Sequence, residues 1–224
     1  MTPSLAGRLL RAVVARRGSI IAPISPGWQR ERALIAQTRS RTELLLSDPA
    51  ALQLLVCARA ARRLPGAFAE AGVFKGGSAR LLCEEKGDAE LHLFDIFETL
   101  QHGPEVEGAE VRAHFGRTYG TEAAVRELLA GYPNVHFNVG VFPETTRSLE
   151  HLRFSFAHLD LDLPQAMQAA LEYFHPRMVA GGILVADDYS DPDVKACLDS
   201  WLAERDDTLI ELPWSQLMIV RQRD

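Results

Sequence analysis

The sequence predicts an α/β fold: a doubly wound, mostly parallel sheet of seven strands, with an antiparallel C-terminal hairpin and a helical N-terminal extension. Three observations predict this fold. From about residue 64 onward, short apolar runs alternate with longer stretches of helical periodicity, which is typical of a parallel sheet flanked by helices. The last two apolar runs are separated by only three residues. Residues 1–63 show helical patterns and no strand-like run.

Each predicted strand and helix is supported by the apolar pattern of its own segment of the sequence. Seven apolar runs predict strands, in chain order, at 67–71, 91–94, 135–139, 154–159, 182–186, 208–212 and 216–221. Apolar residues that recur every three or four positions predict helices between them at 77–86, 109–130, 165–175 and 192–204. The loop of Pro213, Trp214 and Ser215 is too short for a helical crossover. We therefore expect the last two strands to pair as an antiparallel hairpin at the sheet edge.

The N-terminal segment is predicted to be an appendage to one α/β domain. We expect a helical extension at 1–63 and the domain at 64–224, because 224 residues with 47% hydrophobic content suit one sizeable core. A helix is predicted at 49–63, since Pro49 after Asp48 suits a helix start. The extension would cover the mouth of the sheet or mediate self-association, so a homo-oligomer is also a prediction.

Apolar runs and cysteines indicate the cellular compartment of the chain. The apolar runs end well before the roughly 20 residues that a membrane-spanning helix needs, so no membrane span is expected. Arginines interrupt the only apolar stretch at the N-terminus, which argues against a secretion signal. The three cysteines are odd in number and lack a CxxC pair, which argues against disulfides and a zinc cluster. We expect a cytoplasmic protein with reduced thiols.

Charge is divided unevenly along the chain. Residues 1–63 contain 11 arginines and three acidic residues, a net charge of +8, whereas residues 64–224 contain 13 basic and 27 acidic residues, a net charge of −14. The two segments should attract each other, within one chain or between copies. A phosphorylated substrate, an anionic membrane surface or nucleic acid is the alternative partner for the basic segment. No nucleic-acid motif is present, and no nucleic-acid partner is expected.

A glycine-rich turn follows the first predicted strand, where residues 70–78 read EAGVFKGGS and lead into a helix. Open α/β sheets bind ligands at this edge, and glycines let a ligand approach the backbone closely. The spacing is neither GxGxxG nor the GK[ST] ending of a P-loop, which weakens the dinucleotide and nucleoside-triphosphate interpretations. Asp95 closes the second strand 25 residues after Glu70, where a carboxylate accepts hydrogen bonds from ribose hydroxyls. A nucleoside site is predicted; a structural turn with a helix-capping acid is the alternative.

Three carboxylates follow two later strands. Asp160 comes after the fourth strand, and Asp187 and Asp188 come after the fifth. If these strands are neighbours, they lie about 5 Å apart and the side chains converge. Carboxylates so close repel unless a proton or a cation intervenes, and an oxygen-only set selects a hard ion such as Mg²⁺. The ion would bind a substrate hydroxyl, with Asp160 as ligand and proton acceptor. Asp162 is assigned to the surroundings of this site, and simple turn-capping by the acids is the alternative.

Two histidines and one further acid are weaker candidates. His102, in the loop after the second strand, is a candidate general base or substrate contact, with an ordinary surface histidine as the alternative. His158 lies inside a strand and is expected to be a hydrogen-bonded core residue rather than a ligand. Glu98 is either part of the same site as Asp95 or a solvated carboxylate.

Taken together, these motifs resemble the macrocin and mycinamicin type of sugar O-methyltransferase, a metal-dependent branch of the class I methyltransferases. The resemblance rests on EAGVFKGGSA at 70–79, FDIFE at 94–98, GVF at 140–142, HLDLDL at 158–163 and GGILVADDY at 181–189. It covers about residues 40–220 and implies a Rossmann-like methyltransferase sheet that binds S-adenosylmethionine (SAM). The implied SAM-binding residues are Glu70, Gly72, Phe74, Gly76, Gly77, Ser78, Asp95, Gly140 and Phe142. The implied metal ligands are Asp160, Asp187 and Asp188, with Mg²⁺ as the ion.

The sequence departs from that family beside the expected acceptor pocket. The family's Asp-Ser-Phe-Glu-Gly-Leu-Pro loop is DIFETLQ at 95–101 here, and Pro164 replaces an aromatic residue. The acceptor is therefore left as a hydroxylated small molecule, either a glycoside or another natural product. A nicotinamide-dependent oxidoreductase on a similar sheet and a non-catalytic SAM-binding protein are the alternative functions.

Overall fold

The protein, as a computed structural model, is described at residues 26–97 and 120–222. Six α-helices lie in these ranges: α1 Gln29–Arg39, α2 Asp48–Ala61, α3 Gly77–Glu85, α4 Glu122–Leu129, α5 Pro164–Phe174 and α6 Pro192–Leu202. Seven strands lie there too: β1 Ala67–Ala71, β2 Leu91–Asp95, β3 Val135–Val139, β4 Phe154–Leu159, β5 Met178–Ala186, β6 Thr208–Leu212 and β7 Gln216–Val220. Short 3-10 helices occupy Pro26–Trp28, Glu144–Thr146 and His175–Arg177.

All seven strands form one sheet in the order β3-β2-β1-β4-β5-β7-β6. Strands β1 to β5 are mutually parallel, and β7 is antiparallel to both β5 and β6. The predicted doubly wound sheet and antiparallel C-terminal hairpin are therefore confirmed. Strand order reverses between β1 and β4, and a crevice opens at such a point beyond the carboxyl ends of the strands.

Two apolar layers hold the helices against the sheet. On one face, the side chains of α2 and α3, with Leu54 and Leu81 fully buried, pack toward Phe68 and Phe156. On the other face, α5 and α6 pack on the opposite side of the same strands, around the fully buried Phe174. Burying apolar area on both faces stabilises the fold and explains why the central strands are mostly apolar.

Two predicted boundaries differ from the observed ones by more than two residues. Strand β5 begins at Met178 rather than at 182, because Met178 pairs with Phe154 before a register shift in the sheet. The helix predicted at 109–130 is observed only from Glu122, since Thr121 caps it by accepting a hydrogen bond from the Ala124 N–H at 3.2 Å. The remainder, 109–119, lies outside the described residues. Among the helices of 26–97 and 120–222, none has the length and apolar character needed to cross a membrane.

Candidate functional site

A cavity of about 360 Å³ opens at the carboxyl ends of the parallel strands. It lies where the strand order reverses, as expected for a ligand site in an open α/β sheet. Ten of the predicted site residues line it: Gly72, Phe74, Gly77, Ser78, Asp95, Gly140, Phe142, Asp160, Asp187 and Asp188. The residues predicted from separate motifs to bind a nucleoside and a metal therefore line one cavity.

The glycines of the turn after β1 allow close approach of other chain segments. Gly72 has a φ of +87°, and a Cβ there would overlap the carbonyl oxygen of Asp160. Gly76 has a φ of +76° and forms the N-cap of α3, packed against α4 rather than lining the cavity. A Cβ on Gly77 would lie 2.7 Å from the carbonyl oxygen of Glu43. Gly72 thus lets Asp160 approach the end of β1, and Gly77 lets the segment before α2 approach the start of α3, where Gly77 and Ser78 line the cavity.

Asp95 connects the end of β2 to the glycine-rich turn. Its Oδ2 accepts hydrogen bonds from the backbone N–H groups of Val73 at 2.6 Å and Phe74 at 2.8 Å, and its Oδ1 accepts one from Phe97 at 2.6 Å. Burial raises the pKa of Asp95, and these backbone hydrogen bonds oppose the rise. Asp95 therefore organises the turn and also lines the cavity.

The carboxylates at the ends of β4 and β5 converge, and the group made of three carboxylates contains Asp162 in place of Asp187. One oxygen from each of Asp160, Asp162 and Asp188 lies within 4.8 Å of the other two. Asp187 belongs to a second group with His158 and Asp160. Both Asp162 and Asp188 have positive φ values, +55° and +58°. Asp162 is expected in the surroundings of this site, yet its carboxylate, like that of the predicted ligand Asp188, lies within 4.8 Å of Asp160.

The donor set fits a hard divalent cation. Oδ2 of Asp188 is buried and accepts no hydrogen bond from the described residues. Burial raises the pKa of Asp160 well above its usual range, and the neighbouring Asp187 raises it further. Burial and the neighbouring Asp162 likewise raise the pKa of Asp188. We call Asp160, Asp162, Asp187 and Asp188 the carboxylate rim of the cavity. The negative charge of this rim is only partly compensated, and a cation bound to three carboxylate oxygens would relieve the repulsion.

Beneath the rim, His158 lies between two carboxylates. Its Nδ1 is 2.8 Å from Oε1 of Glu70, and its Nε2 is 3.7 Å from Oδ2 of Asp187. The second distance is too long for a hydrogen bond, so that contact is electrostatic. Burial disfavours the charged imidazole, but attraction to Asp187 and Glu70 raises the pKa of His158 to about 10. His158 is a paired core histidine, as expected, and Glu70 is fully buried and does not line the cavity.

Two contributors to the site are not among the residues predicted from the sequence. Residues 43–47, between α1 and α2, line the cavity. Trp214, in the hairpin loop, also lines it and donates a hydrogen bond from Nε1 to Oε1 of Gln216 at 3.1 Å. The fully buried Gln216 in turn donates to Oδ2 of Asp187 at 3.1 Å. A large aromatic residue in a three-residue hairpin loop was the available sequence signal. His102 and Glu98 lie outside the described residues.

Solved structures share the fold. O-methyltransferase NovP is similar with a TM-score of 0.64 and 23% identity, over 77% of this chain and 79% of that chain. O-methyltransferase TomG from Streptomyces achromogenes, solved in complex with SAM, is similar with a TM-score of 0.61 and 15% identity, over 99% of this chain and 100% of that chain. At these identities the likeness concerns the fold alone. The chain has the fold of an O-methyltransferase, with the seven-stranded sheet described above.

The sequence narrows this class to a family. The chain belongs to the macrocin-O-methyltransferase (TylF) family, whose sequence profile matches residues 50–218. This result confirms the resemblance inferred from the motifs and lends no support to the oxidoreductase alternative. A curated relative is 30% identical over 153 residues: the 8-demethyl-8-(2,3-dimethoxy-alpha-L-rhamnosyl)-tetracenomycin-C 4'-O-methyltransferase of Streptomyces olivaceus. The matched region is 61% of this chain and spans 57% of that relative's length.

Proposed function

We propose that the protein is a SAM-dependent, divalent-metal-assisted O-methyltransferase that acts on a hydroxyl group of a small molecule. One observation carries the proposal: Asp160, Asp162 and Asp188 converge in the same cavity as the glycine-rich turn and Asp95. A nucleoside-type cofactor and a hard cation would therefore bind side by side. Membership of the macrocin-O-methyltransferase family supports the same reaction.

Residues at the ends of β1 and β2 would hold the cofactor. Gly72 permits close approach at the turn, and Asp95 offers its carboxylate beside the backbone that it organises. Phe142 contributes an aromatic wall, with its ring centroid 5.6 Å from that of Phe94. We propose that the remaining predicted contacts, Phe74, Gly77, Ser78 and Gly140, complete this subsite. Glu70 and Gly76 would support this subsite indirectly: Glu70 pairs with His158, and Gly76 forms the N-cap of α3.

The rim carboxylates would hold Mg²⁺ and orient the acceptor hydroxyl. When bound, SAM supplies an electrophilic methyl group and the divalent ion supplies Lewis acidity toward the hydroxyl. Asp160 and Asp188 position the ion, and Asp160 accepts the hydroxyl proton. Asp187 is held in place by Gln216. Most of the rate acceleration would come from positioning two reactants in one enclosed cavity.

The cavity walls favour an acceptor with an apolar body. Apolar side chains beside the rim include Leu44, Ile96, Leu163 and Trp214. The curated relative is a rhamnosyl tetracenomycin O-methyltransferase, which makes a glycosylated aromatic product a reasonable first acceptor class. We therefore propose a glycoside or another hydroxylated natural product as the substrate.

The cofactor is tested by calorimetric titration with SAM and with its demethylated product, in Mg²⁺ and then in chelator. Micromolar binding is expected, and no binding in either condition would refute the cofactor assignment. Asp188→Ala should leave SAM affinity nearly unchanged and abolish transfer of a labelled methyl group to a panel of glycosylated aromatic acceptors. Asp206→Ala, which alters an exposed carboxylate away from the cavity, is the matched control. Full activity of Asp188→Ala, or of wild-type protein in excess chelator, would contradict the metal role.

Further features stay proposals. They comprise the division of the chain into an extension at 1–63 and a domain at 64–224, a cytoplasmic location, self-association and the role of His102 as general base. The separation of charge between the two segments supports contact of the extension with the rest of the chain or with a second copy.

A further inference from the structure

Two histidines and a glutamate meet at the opposite end of the sheet from the cavity. His92 in β2 and His136 in β3 are in register on neighbouring parallel strands, and their rings stack with centroids 4.7 Å apart. Glu90 precedes His92 by two residues, so its side chain projects from the same face of the sheet. One donor atom from each of the three residues lies within 4.8 Å of the other two.

The distances in this cluster suit a tetrahedral metal ion. Two ligands about 2.1 Å from such an ion lie about 3.4 Å from each other. His92 Nε2 is 3.3 Å from Oε2 of Glu90, and His136 Nε2 is 3.9 Å from Oε1 of Glu90. The imidazole nitrogens therefore converge on one carboxylate, and small side-chain rotations would bring them to ligand distance. The side chains of Glu90 and His136 are about half exposed, at 52% and 47%, which gives an ion access from solvent.

His92 is the buried member of the cluster, with a side chain that is only 6% exposed. The nitrogen that faces Glu90 is Nε2, so Nε2 is the candidate ligand atom. Burial lowers the pKa of His92 and outweighs the hydrogen bond to Glu90. The ring is therefore neutral near pH 7 and has a lone pair available for a metal.

We propose that Glu90, His92 and His136 form a second metal site, which binds Zn²⁺ or a similar borderline divalent transition metal. Two imidazoles and one carboxylate favour such ions over Mg²⁺, which prefers an all-oxygen set. The bound ion would join β3, the edge strand, to β2. The site thus stabilises the sheet edge and is distinct from the carboxylate rim, which lies beyond the carboxyl ends of β4 and β5.

The test uses full-length protein without a histidine tag, titrated with ZnCl₂ in a calorimeter in the presence of excess Mg²⁺. Wild-type protein should bind one Zn²⁺ at this site, and Zn²⁺ should raise its Tm. His136→Ala should weaken binding by at least about tenfold and remove the Tm shift, since loss even of an outer-shell partner costs that much. His136 is half exposed, so this variant should keep its fold, which circular dichroism checks.

Two further variants separate this site from the rim. Glu90→Gln should also weaken Zn²⁺ binding, because the amide is a poorer ligand than the carboxylate. Asp188→Asn should bind Zn²⁺ at the histidine site with unchanged affinity. Absence of Zn²⁺ binding by wild-type protein, or equal affinity in His136→Ala, would overturn the proposal. Loss of binding in Asp188→Asn instead would assign the zinc to the rim and overturn it as well.

Discussion

Replacement of Gly72 by alanine tests whether close packing of strand ends builds the site. Gly72 follows β1 with a φ of +87°, and a Cβ there would overlap the carbonyl oxygen of Asp160. Immediately before it, the Asp160 N–H donates to the carbonyl oxygen of Ala71 at 2.9 Å. A methyl group therefore cannot be accommodated without separating the ends of β1 and β4, where the cavity opens.

Two contributions set the size of the effect. A positive φ costs an alanine about 1–2 kcal/mol, and overpacking against backbone costs about 1–3 kcal/mol more. We expect Gly72→Ala to reduce the free energy of unfolding by about 2–5 kcal/mol. Gly87 also has a positive φ, +63°, but a Cβ there would meet nothing within 4 Å. Gly87→Ala should therefore cost only the first part, about 1–2 kcal/mol.

Urea unfolding monitored by circular dichroism measures both free energies, and calorimetry measures SAM affinity on the folded proteins. Gly131→Ala is a second control, because Gly131 has neither a positive φ nor a close neighbour. Gly72→Ala should lose SAM affinity as well as stability, whereas both controls should bind SAM like the wild type. If Gly72→Ala were no less stable than Gly87→Ala, the overlap with Asp160 would not exist and this account of the turn would be refuted.

Two further predictions concern buried ion pairs. Burial raises the pKa of Glu85, but hydrogen bonds from Arg59 and Arg30 outweigh this effect and lower the pKa. Glu85→Gln should therefore reduce the free energy of unfolding by about 1–3 kcal/mol at pH 7. In urea unfolding, this difference from the wild type should vanish as pH falls below about 4.5. His158→Gln should cost about 3 kcal/mol, because it leaves Glu70 buried without its partner. The double change with Glu70→Gln should cost less than the sum of the single changes, and additivity would contradict the pairing. With its pKa raised from 6.5 to about 10, His158 contributes fully below pH 6.5 and loses its contribution as pH rises through 10.

Much of the fold was predictable because burial leaves periodic traces in the sequence. Strands β1, β3, β4 and β6 have the predicted bounds, since their residues are continuously apolar or alternate between turn signals. The start of β5 was missed because Gly181 and Gly182 separate Met178 and Val179 from the longer apolar run that follows, although Met178 pairs with β4. Periodicity reports side-chain burial, and two adjacent glycines inside a strand interrupt that signal.

The sequence predicts which strand ends carry the carboxylates of the site, but not which of those carboxylates group together. Parallel strands in the right order bring Asp160 and Asp188 together, whatever the local details. Which oxygen joins the group depends on turn geometry: Asp188 has a φ of +58°, whereas Asp187 is engaged by Gln216. Asp162, which also has a positive φ, belongs to the same group. Single backbone angles in loops leave no periodic trace, so sequence patterns could not rank these carboxylates.

Charge at the rim links the fold to metal selection. Five carboxylates cluster in this part of the described chain: Glu70, Asp160, Asp162, Asp187 and Asp188. One buried imidazolium, that of His158, offsets only one of them. Burial, with Asp162 and Asp187 nearby, raises the pKa of Asp188 to about 7, so the metal-free rim retains protons. Because a bound cation must displace them, Mg²⁺ affinity should rise with pH, by about tenfold per pH unit for each proton displaced, through the range around pH 7 in which Asp188 titrates.

Calorimetric Mg²⁺ titrations at several pH values, in buffers of different ionisation enthalpy, measure both the affinity and the protons released. Asp188→Asn should bind Mg²⁺ weakly and release fewer protons, whereas Asp206→Ala should match the wild type. An Mg²⁺ affinity independent of pH would mean that the carboxylates are already ionised without metal, and the repulsion argument would fail. If the affinity rises as expected, the repulsion that opposes assembly of this rim is also what makes it selective for a small divalent ion, since a monovalent ion neutralises too little charge.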